Sequence, residues 1–409
     1  MRVRRSAYLF VRCREQTYLD LAGLLTGALQ VAGREEAVAV SPLTRVEHPV
    51  SGALLAGLAE LSSTDWIPLD EAAARLGVDA PEILALAERG LLIADSPDEP
   101  FARLRAAEER LAADRWDPYA VFCHFLSRWR GVEYLAGFAE TGPEQADPRS
   151  PQAYVDRHGP PPPHFHEVAG LGELGELAER VDLPLSEPEG ALFNLLRRRR
   201  TCRGFDTARP LLLEPFSHLL RWSFGCHGVL SLTPELALLK KTSPSGGALH
   251  PVEVYPLVRD VEGLAPGLYH YSVRDHALTP IASRTAEQMA ALAVRLTAGQ
   301  TYFAGAHALF VLTARFGRNF WKYHRHPRAY RVVLMDAAHL SQTLYLVAAE
   351  LGLGAFFTAG INDIDAEEEL GIDGFAEGAV AICGCGVPGR AGEGLTFEPA
   401  PYVPRVGTV

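Results

Sequence analysis

Four consecutive prolines, Pro160-Pro161-Pro162-Pro163, interrupt this 409-residue chain. No helix or central strand can run through them, because each proline lacks an amide hydrogen and has its φ fixed. With Pro148 and Pro151 just upstream, the stretch reads as a stiff linker, and it places a domain boundary between Thr141 and Leu185. The length agrees, since 409 residues exceed what one hydrophobic core usually serves.

Composition narrows the class. Hydrophobic residues at 48% and charged residues at 22% are ordinary globular values, which excludes a largely disordered, collagenous or coiled-coil chain. The 39 basic and 50 acidic residues give a net charge of -11, so there is no overall attraction to nucleic acid or to an anionic membrane surface. The apolar stretch from Ala7 to Val11 is too short for a signal peptide, and no segment is read as a membrane span. Six cysteines occur without a C-x-x-C pair, which fits a reducing cytoplasm better than a disulfide framework or structural zinc. Cys383 and Cys385 sit in an apolar run and read as a buried strand end. His164-Phe165-His166 has HxH spacing but no third ligand nearby, so no metal site is assigned.

Before the linker, Ile67 to Gly77 reads as a short helix closed by glycine, Asp79 as the cap of a second helix over Glu82–Arg89, and Gly90 to Ile93 as a β-type run. Helix, tight turn, helix and strand is the outline of a winged helix-turn-helix. Its second helix carries Glu82 and Glu88 against Arg89 alone, which suits a peptide or a structural role better than a DNA groove. The strand-like stretch Ser6 to Val11 offers an edge to which an extended peptide can pair.

After the linker, Ser186-Glu187-Pro188-Glu189 has the form of a capping box, opening a helix with Leu192, Leu195 and Leu196 on its apolar face. That helix runs into five arginines within seven residues, Arg197 to Arg200 and Arg203, with Thr201 among them. A helix end needs no such density; guanidinium groups and a hydroxyl make a phosphate clamp. In Ser243-Pro244-Ser245-Gly246-Gly247 the glycines let backbone approach a flat ligand while the serines offer hydroxyls. Lys322 and Tyr323 place a cationic donor beside a phenol capable of proton transfer. Thr358-Ala359-Gly360 forms a small-residue turn, and Ala379 to Gly384 reads as a buried strand.

Taken in order, Arg-Arg-Thr-x-Arg-x-Phe, Ser-Pro-Ser-Gly-Gly-Ala-Leu-x-Pro, Trp-Lys-Tyr with Tyr-Arg and Asp-x-x-His, and Gly-Leu-Gly resemble the nitroreductase-like flavoproteins. More narrowly they resemble the SagB-type branch, which oxidises thiazoline and oxazoline rings to azoles in ribosomally made peptides. The resemblance implies an α+β fold, a central mostly antiparallel sheet flanked by helices, preceded here by the winged-helix-like domain. It divides the chain into residues 1–110, winged-helix-like and suited to peptide binding; residues 111–185, a helical segment and proline-rich linker; and residues 186–409, the FMN domain. It implies a homodimer with FMN at the interface. Arg199, Arg200, Thr201 and Arg203 would hold phosphate and ribityl, Ser243, Pro244, Ser245 and Gly246 would come from the partner subunit, and Thr358, Ala359 and Gly360 would lie at the ring. Lys322 and Tyr323 fall on the catalytic pair. A precursor peptide is the implied substrate and a cyclodehydratase the implied partner. His250, Ala338, Thr343 and the spacer after Tyr323 depart from that pattern, which bears on substrate more than on flavin. Two other readings use the same residues: an NAD(P)H-dependent reductase of nitro, quinone or dehydroamino-acid substrates, and a non-catalytic scaffold subunit.

Overall fold

The computed structural model describes residues 1–19, 31–133, 155–156, 183, 188–234, 236–324, 326 and 328–389. The proline run, the His164–His166 pair and Ser186-Glu187 lie outside the described residues.

In the front part, β1 (Arg2–Arg5) is the centre of a three-stranded sheet with β5 (Ile67–Pro68) and β6 (Leu92–Ala94), while β2 (Phe10–Leu19), β3 (Val31–Val40) and β4 (Glu47–Pro49) form a second sheet. Helix α1 spans Gly52–Glu60. The next two helices are α2 (Leu69–Leu76), closed by Gly77 at φ 67, and α3 (Ala80–Glu88), opened by Asp79, whose side chain accepts from the Glu82 amide. Gly77 supplies the left-handed turn that a residue with a Cβ resists. Ile83, Leu86, Leu58 and Val3 close this core. Arg89, the basic residue of the turn after α3, is held inward by His48, with Thr44 bonded to its carbonyl oxygen.

The stretch Ser6 to Val11 is not one strand. β1 stops at Arg5 and β2 starts at Phe10, because Ser6 Oγ and the Ala7 amide both donate to the buried carboxylate of Glu108, at 2.6 and 3.2 Å. Glu108 lies on α4 (Phe101–Ala113), which crosses residue 110 and is followed by α5 (Pro118–Ser127).

The second part begins with α6 (Ala191–Arg198) and α7 (Leu213–Phe224), then the hairpin β7 (Gly228–Thr233) and β8 (Leu236–Lys240). A six-stranded antiparallel sheet follows in the order β11-β10-β9-β12-β14-β13. Its strands are β9 (Val252–Val258), β10 (Gly267–Ser272), β11 (Ala277–Ser283), β12 (Ala308–Arg315), β13 (Gly354–Thr358) and β14 (Glu377–Gly386). Helices α8 (Ala286–Leu296), α9 (Phe316–Tyr323), α10 (Arg328–Glu350) and α11 (Asp363–Leu370) complete it.

The sheet is covered on both faces, so its central strands are apolar on both sides. Phe310 and Leu312 of β12 pack with Phe216 and Leu220 of α7 and Leu340 and Leu344 of α10. Leu309 and Val311 point the other way, to Leu292 and Leu296 of α8 and Leu370 of α11. Cys383 and Cys385 are buried within β14, and burial pushes both thiols up.

Helix α10 departs from the expectation that no segment approaches a membrane span. It is 23 residues long with mean hydropathy 1.3 over an 18-residue window, long and apolar enough by length and composition alone. Its apolar stripe, Val333, Ala337, Leu340, Leu344 and Ala348, is buried in the cores above. Helix α6 departs in the other direction: none of its residues is buried, and Leu192, Phe193 and Leu196 are exposed.

The two parts share an aromatic core. Trp116 and, from α5, Val121 and Phe125 pack against Phe316 and Phe320 of α9 and Tyr330 of α10. Burying each such side chain contributes roughly 1.5–3 kcal/mol. Asn362 exchanges hydrogen bonds with the backbone of Val132 at 2.8 and 3.1 Å, and Arg128 forms a buried ion pair with Glu367. His124 is buried between Tyr330 Oη and the Gly374 carbonyl oxygen, each at 3.1 Å.

Candidate active site

The sequence-predicted residues fall into two groups, organised by the two flanks of α10. On one flank, Thr201 and Cys202 extend the edge of the sheet: Thr201 bridges Ala355 of β13, and the Cys202 amide donates to the Ala355 carbonyl oxygen at 2.8 Å. That pairing carries the arginine segment over α10. Thr201 Oγ1 meets Tyr345 Oη at 3.1 Å, the Phe357 amide donates to the same phenol at 3.0 Å, and the Arg199 guanidinium carbon stands 5.3 Å from the Tyr345 ring centroid. Arg200, Thr201, Cys202, Arg203, Tyr345 and Gly354 help to line a cavity of about 200 Å³. Gly354 is required there, because a Cβ on it would lie 2.4 Å from Cys202 Sγ. Burial pushes the Cys202 thiol up.

The turn after β13 is about 10 Å further along the same strand. Thr358 Oγ1 accepts from the Gly360 amide and from Gln300 Nε2, both at 3.1 Å, and Gln300 Nε2 also reaches the Gly360 carbonyl oxygen at 3.0 Å. Ala359 sits between them, its carbonyl oxygen accepting from Ile361.

On the other flank, Asp336 of α10 grips the serine-glycine loop. Ser245 Oγ donates to one carboxylate oxygen at 2.5 Å and the Gly246 amide to the other at 3.1 Å. Ser243 Oγ meets Thr343 Oγ1 at 2.6 Å and donates to the His339 carbonyl oxygen at 3.2 Å. Pro244 is exposed beside them. Gly246 lies against Val332, where a Cβ would come within 2.2 Å of Cγ1.

The catalytic candidates belong to this second group. A Cβ on Gly247, whose φ is +65, would lie 2.7 Å from Tyr323 Oη and 2.9 Å from Lys322 Nζ. Lys322 Nζ stands 5.6 Å from the Tyr323 ring centroid, with Lys322 exposed and Tyr323 half-buried. Phe316 and Phe320 on the buried side of α9 anchor the pair to the shared aromatic core.

Asp336 and Tyr345 are nine positions apart on one helix, roughly 13 Å along its axis and half a turn around it. A single chain therefore sets the arginine cavity and the Lys322–Tyr323 loop on opposite sides of α10.

Tyr345 and Gln300 were not singled out from sequence. The half-turn offset from Asp336 gives no pattern that marks Tyr345, and Gln300 reaches the turn only through the fold. Among the described residues, no group of three or more His, Cys, Asp or Glu is placed to hold a metal ion.

The donor set of the cavity fits a phosphate ester such as that of FMN: guanidinium groups, a hydroxyl and a backbone edge where bulk is excluded. Gly246 and Gly247 let the loop backbone pack directly against Val332, Tyr323 and Lys322, where a side chain would collide.

Residues 196–387 match the Nitroreductase family. The chain is 34% identical over 199 residues to a putative nitroreductase of Methanocaldococcus jannaschii, covering 49% of this chain and 92% of that protein. It is 30% identical over 229 residues to the trifolitoxin-processing protein TfxB of Rhizobium leguminosarum bv. trifolii, covering 54% of this chain and 58% of that protein. It is also 30% identical over 146 residues to the microcin B17-processing protein McbC of Escherichia coli, covering 34% and 52%. The chain thus spans little more than half the length of these two processing proteins. A chain of the E. coli microcin synthetase McbBCD complex with truncated pro-MccB17 superposes with a TM-score of 0.44 at 22% identity, covering 68% of this chain and 96% of that one.

Proposed function

The chain belongs to the nitroreductase family, and on that premise we propose that it is an FMN-dependent dehydrogenase that oxidises azoline rings to azoles in a ribosomally made peptide. The observation that carries the proposal is Gly247, packed against Tyr323 Oη and Lys322 Nζ, which sets a phenol and a cation side by side at the loop. The 30% identity to two proteins named for toxin and microcin processing supports a peptide substrate.

The two flanks of α10 support a dimeric site, in which the arginine cavity of one protomer meets the loop and the Lys322–Tyr323 pair of its partner. Exposed Leu192 and Phe193 on α6 and Leu334 and Met335 on α10 would be covered in that dimer. Arg200, Thr201 and Arg203 would hold the FMN phosphate, with Arg199 braced on Tyr345. FMN, when bound, supplies the hydride acceptor. Tyr323, as a phenolate that the Lys322 ammonium stabilises, would take the proton from the ring carbon and become the neutral phenol, and the aromatic core behind α9 fixes both side chains in place. Further expectations are a soluble cytoplasmic protein, in accord with six cysteines that are all free, and a cyclodehydratase partner.

Replacing Lys322 by Ala or Tyr323 by Phe tests the assignment. The proposal expects bound, yellow FMN and no ring oxidation in both variants. Full activity in both would sink it, and rapid bleaching of the wild-type flavin by NADPH would favour a nitro- or quinone-reductase instead.

A further inference from the structure

A cluster of cations borders the Ser243–Gly247 loop and takes no part in the chemistry described above. Lys241 lies two residues before Ser243 and is half-buried; it makes no ion pair or side-chain hydrogen bond among the described residues. Arg318 precedes Lys322 by one turn of α9, so the two share a face. Its Nε donates to the Leu249 carbonyl oxygen, and no carboxylate pairs with it among the described residues. Arg315, at the end of β12, pairs with Glu253 at 2.7 Å, and His270 lies 3.4 Å from the same carboxylate. Lys241, Arg315 and Arg318 thus share one neighbouring acid, Glu253.

Among the described residues, neither Asp336 nor Glu377 forms an ion pair with Lys241 or Arg318. Both oxygens of Asp336 are bonded to the loop, and Glu377 is engaged by Thr313. Burial lowers Lys241 from its ordinary value; Glu253 and Cys226 oppose the shift while Arg315 and Arg318 add to it. Burial and then Lys241 lower His250, whose Nε2 lies 3.0 Å from the Leu239 carbonyl oxygen. Partly desolvated cations are stable when a counter-charge reaches them.

We infer that Lys241 and Arg318 form an oxyanion subsite, which receives a carboxylate or phosphate on the molecule that reacts at Lys322 and Tyr323. The inference rests on reading that pair as the reaction centre. An acidic residue of a peptide and the phosphate of a pyridine nucleotide share this chemistry. Arg318 offers paired guanidinium donors and Lys241 a point charge, one helical turn from the catalytic lysine.

Calorimetric titration of the FMN-reconstituted protein tests it with two probe pairs. One pair is acetyl-Gly-Glu-Gly-amide against its Gln counterpart, and the other is adenosine 2′,5′-bisphosphate against adenosine. The inference expects at least one anionic probe to bind about tenfold tighter than its neutral control, with the preference lost in Lys241→Met and in Arg318→Gln. Lys241→Met should keep its flavin and its melting temperature, since it gives up no recorded bond. Preference for the Glu peptide assigns the subsite to substrate carboxylate, and preference for the bisphosphate assigns it to a nucleotide. No preference in the wild type, or one that survives both substitutions, overturns the subsite. Azoline oxidation is read separately, so either result stands without the other.

Discussion

Tyr345 and Thr201, 144 residues apart in the chain, share a hydrogen bond of 3.1 Å, and the same phenol accepts from the Phe357 amide at 3.0 Å. One hydroxyl therefore ties the arginine segment, the central helix and the edge strand together. In Tyr345→Phe the Phe357 amide loses its acceptor and Thr201 its partner, a loss of about 1–3 kcal/mol. FMN affinity is expected to fall roughly tenfold when measured by flavin fluorescence titration; unchanged affinity would remove Tyr345 from the clamp.

Local features were legible in the sequence because their causes are local. Gly77 ends α2 and Asp79 caps α3 as read, and the loop, the arginines and the Lys-Tyr pair stand out by composition. What was not legible depends on distant pairing. Ser6 to Val11 has the look of one strand, but Glu108 captures Ser6 and turns the chain before β2 starts at Phe10. Tyr345 gains its role only when Thr201 pairs with Ala355. The outward-facing leucines of α6 look like any core stripe, but among the described residues no buried core lies against them.

Gly247→Ala adds a methyl 2.7 Å from Tyr323 Oη and 2.9 Å from Lys322 Nζ, at a φ of +65. The left-handed backbone alone costs about 1 kcal/mol, and the contacts displace both side chains. The expected result is retained FMN with turnover lowered at least tenfold, read as kcat under saturating substrate. Wild-type kcat would show that the loop does not set the pair's position.

Leu192 and Met335 are each 57% exposed on α6 and α10, on the surface proposed to meet a second copy. Charges there, as Leu192→Glu with Met335→Glu, should yield a monomer in sedimentation equilibrium that purifies colourless, since one chain carries the two halves of the site on opposite sides of α10. A yellow monomer would contradict the shared site.

His124 is held neutral in the folded chain, with burial and then Arg128 pushing it down to about 3 from 6.5. Between those values the unfolded chain binds a proton that the folded chain refuses, so stability is complete above about pH 6.5 and falls as pH drops, by up to about 1.4 kcal/mol per unit. His124→Gln should show a shallower loss of stability between pH 6.5 and 5 in urea denaturation. Equal slopes in the two proteins would place the acid sensitivity elsewhere.

A mass spectrum reads ring oxidation without labels. An azoline-bearing peptide incubated with the FMN-loaded protein should lose two hydrogens, about 2 Da per ring, with Tyr323→Phe leaving the mass unchanged. A peptide of unaltered mass after incubation with flavin-loaded wild-type protein would rule out azoline oxidation.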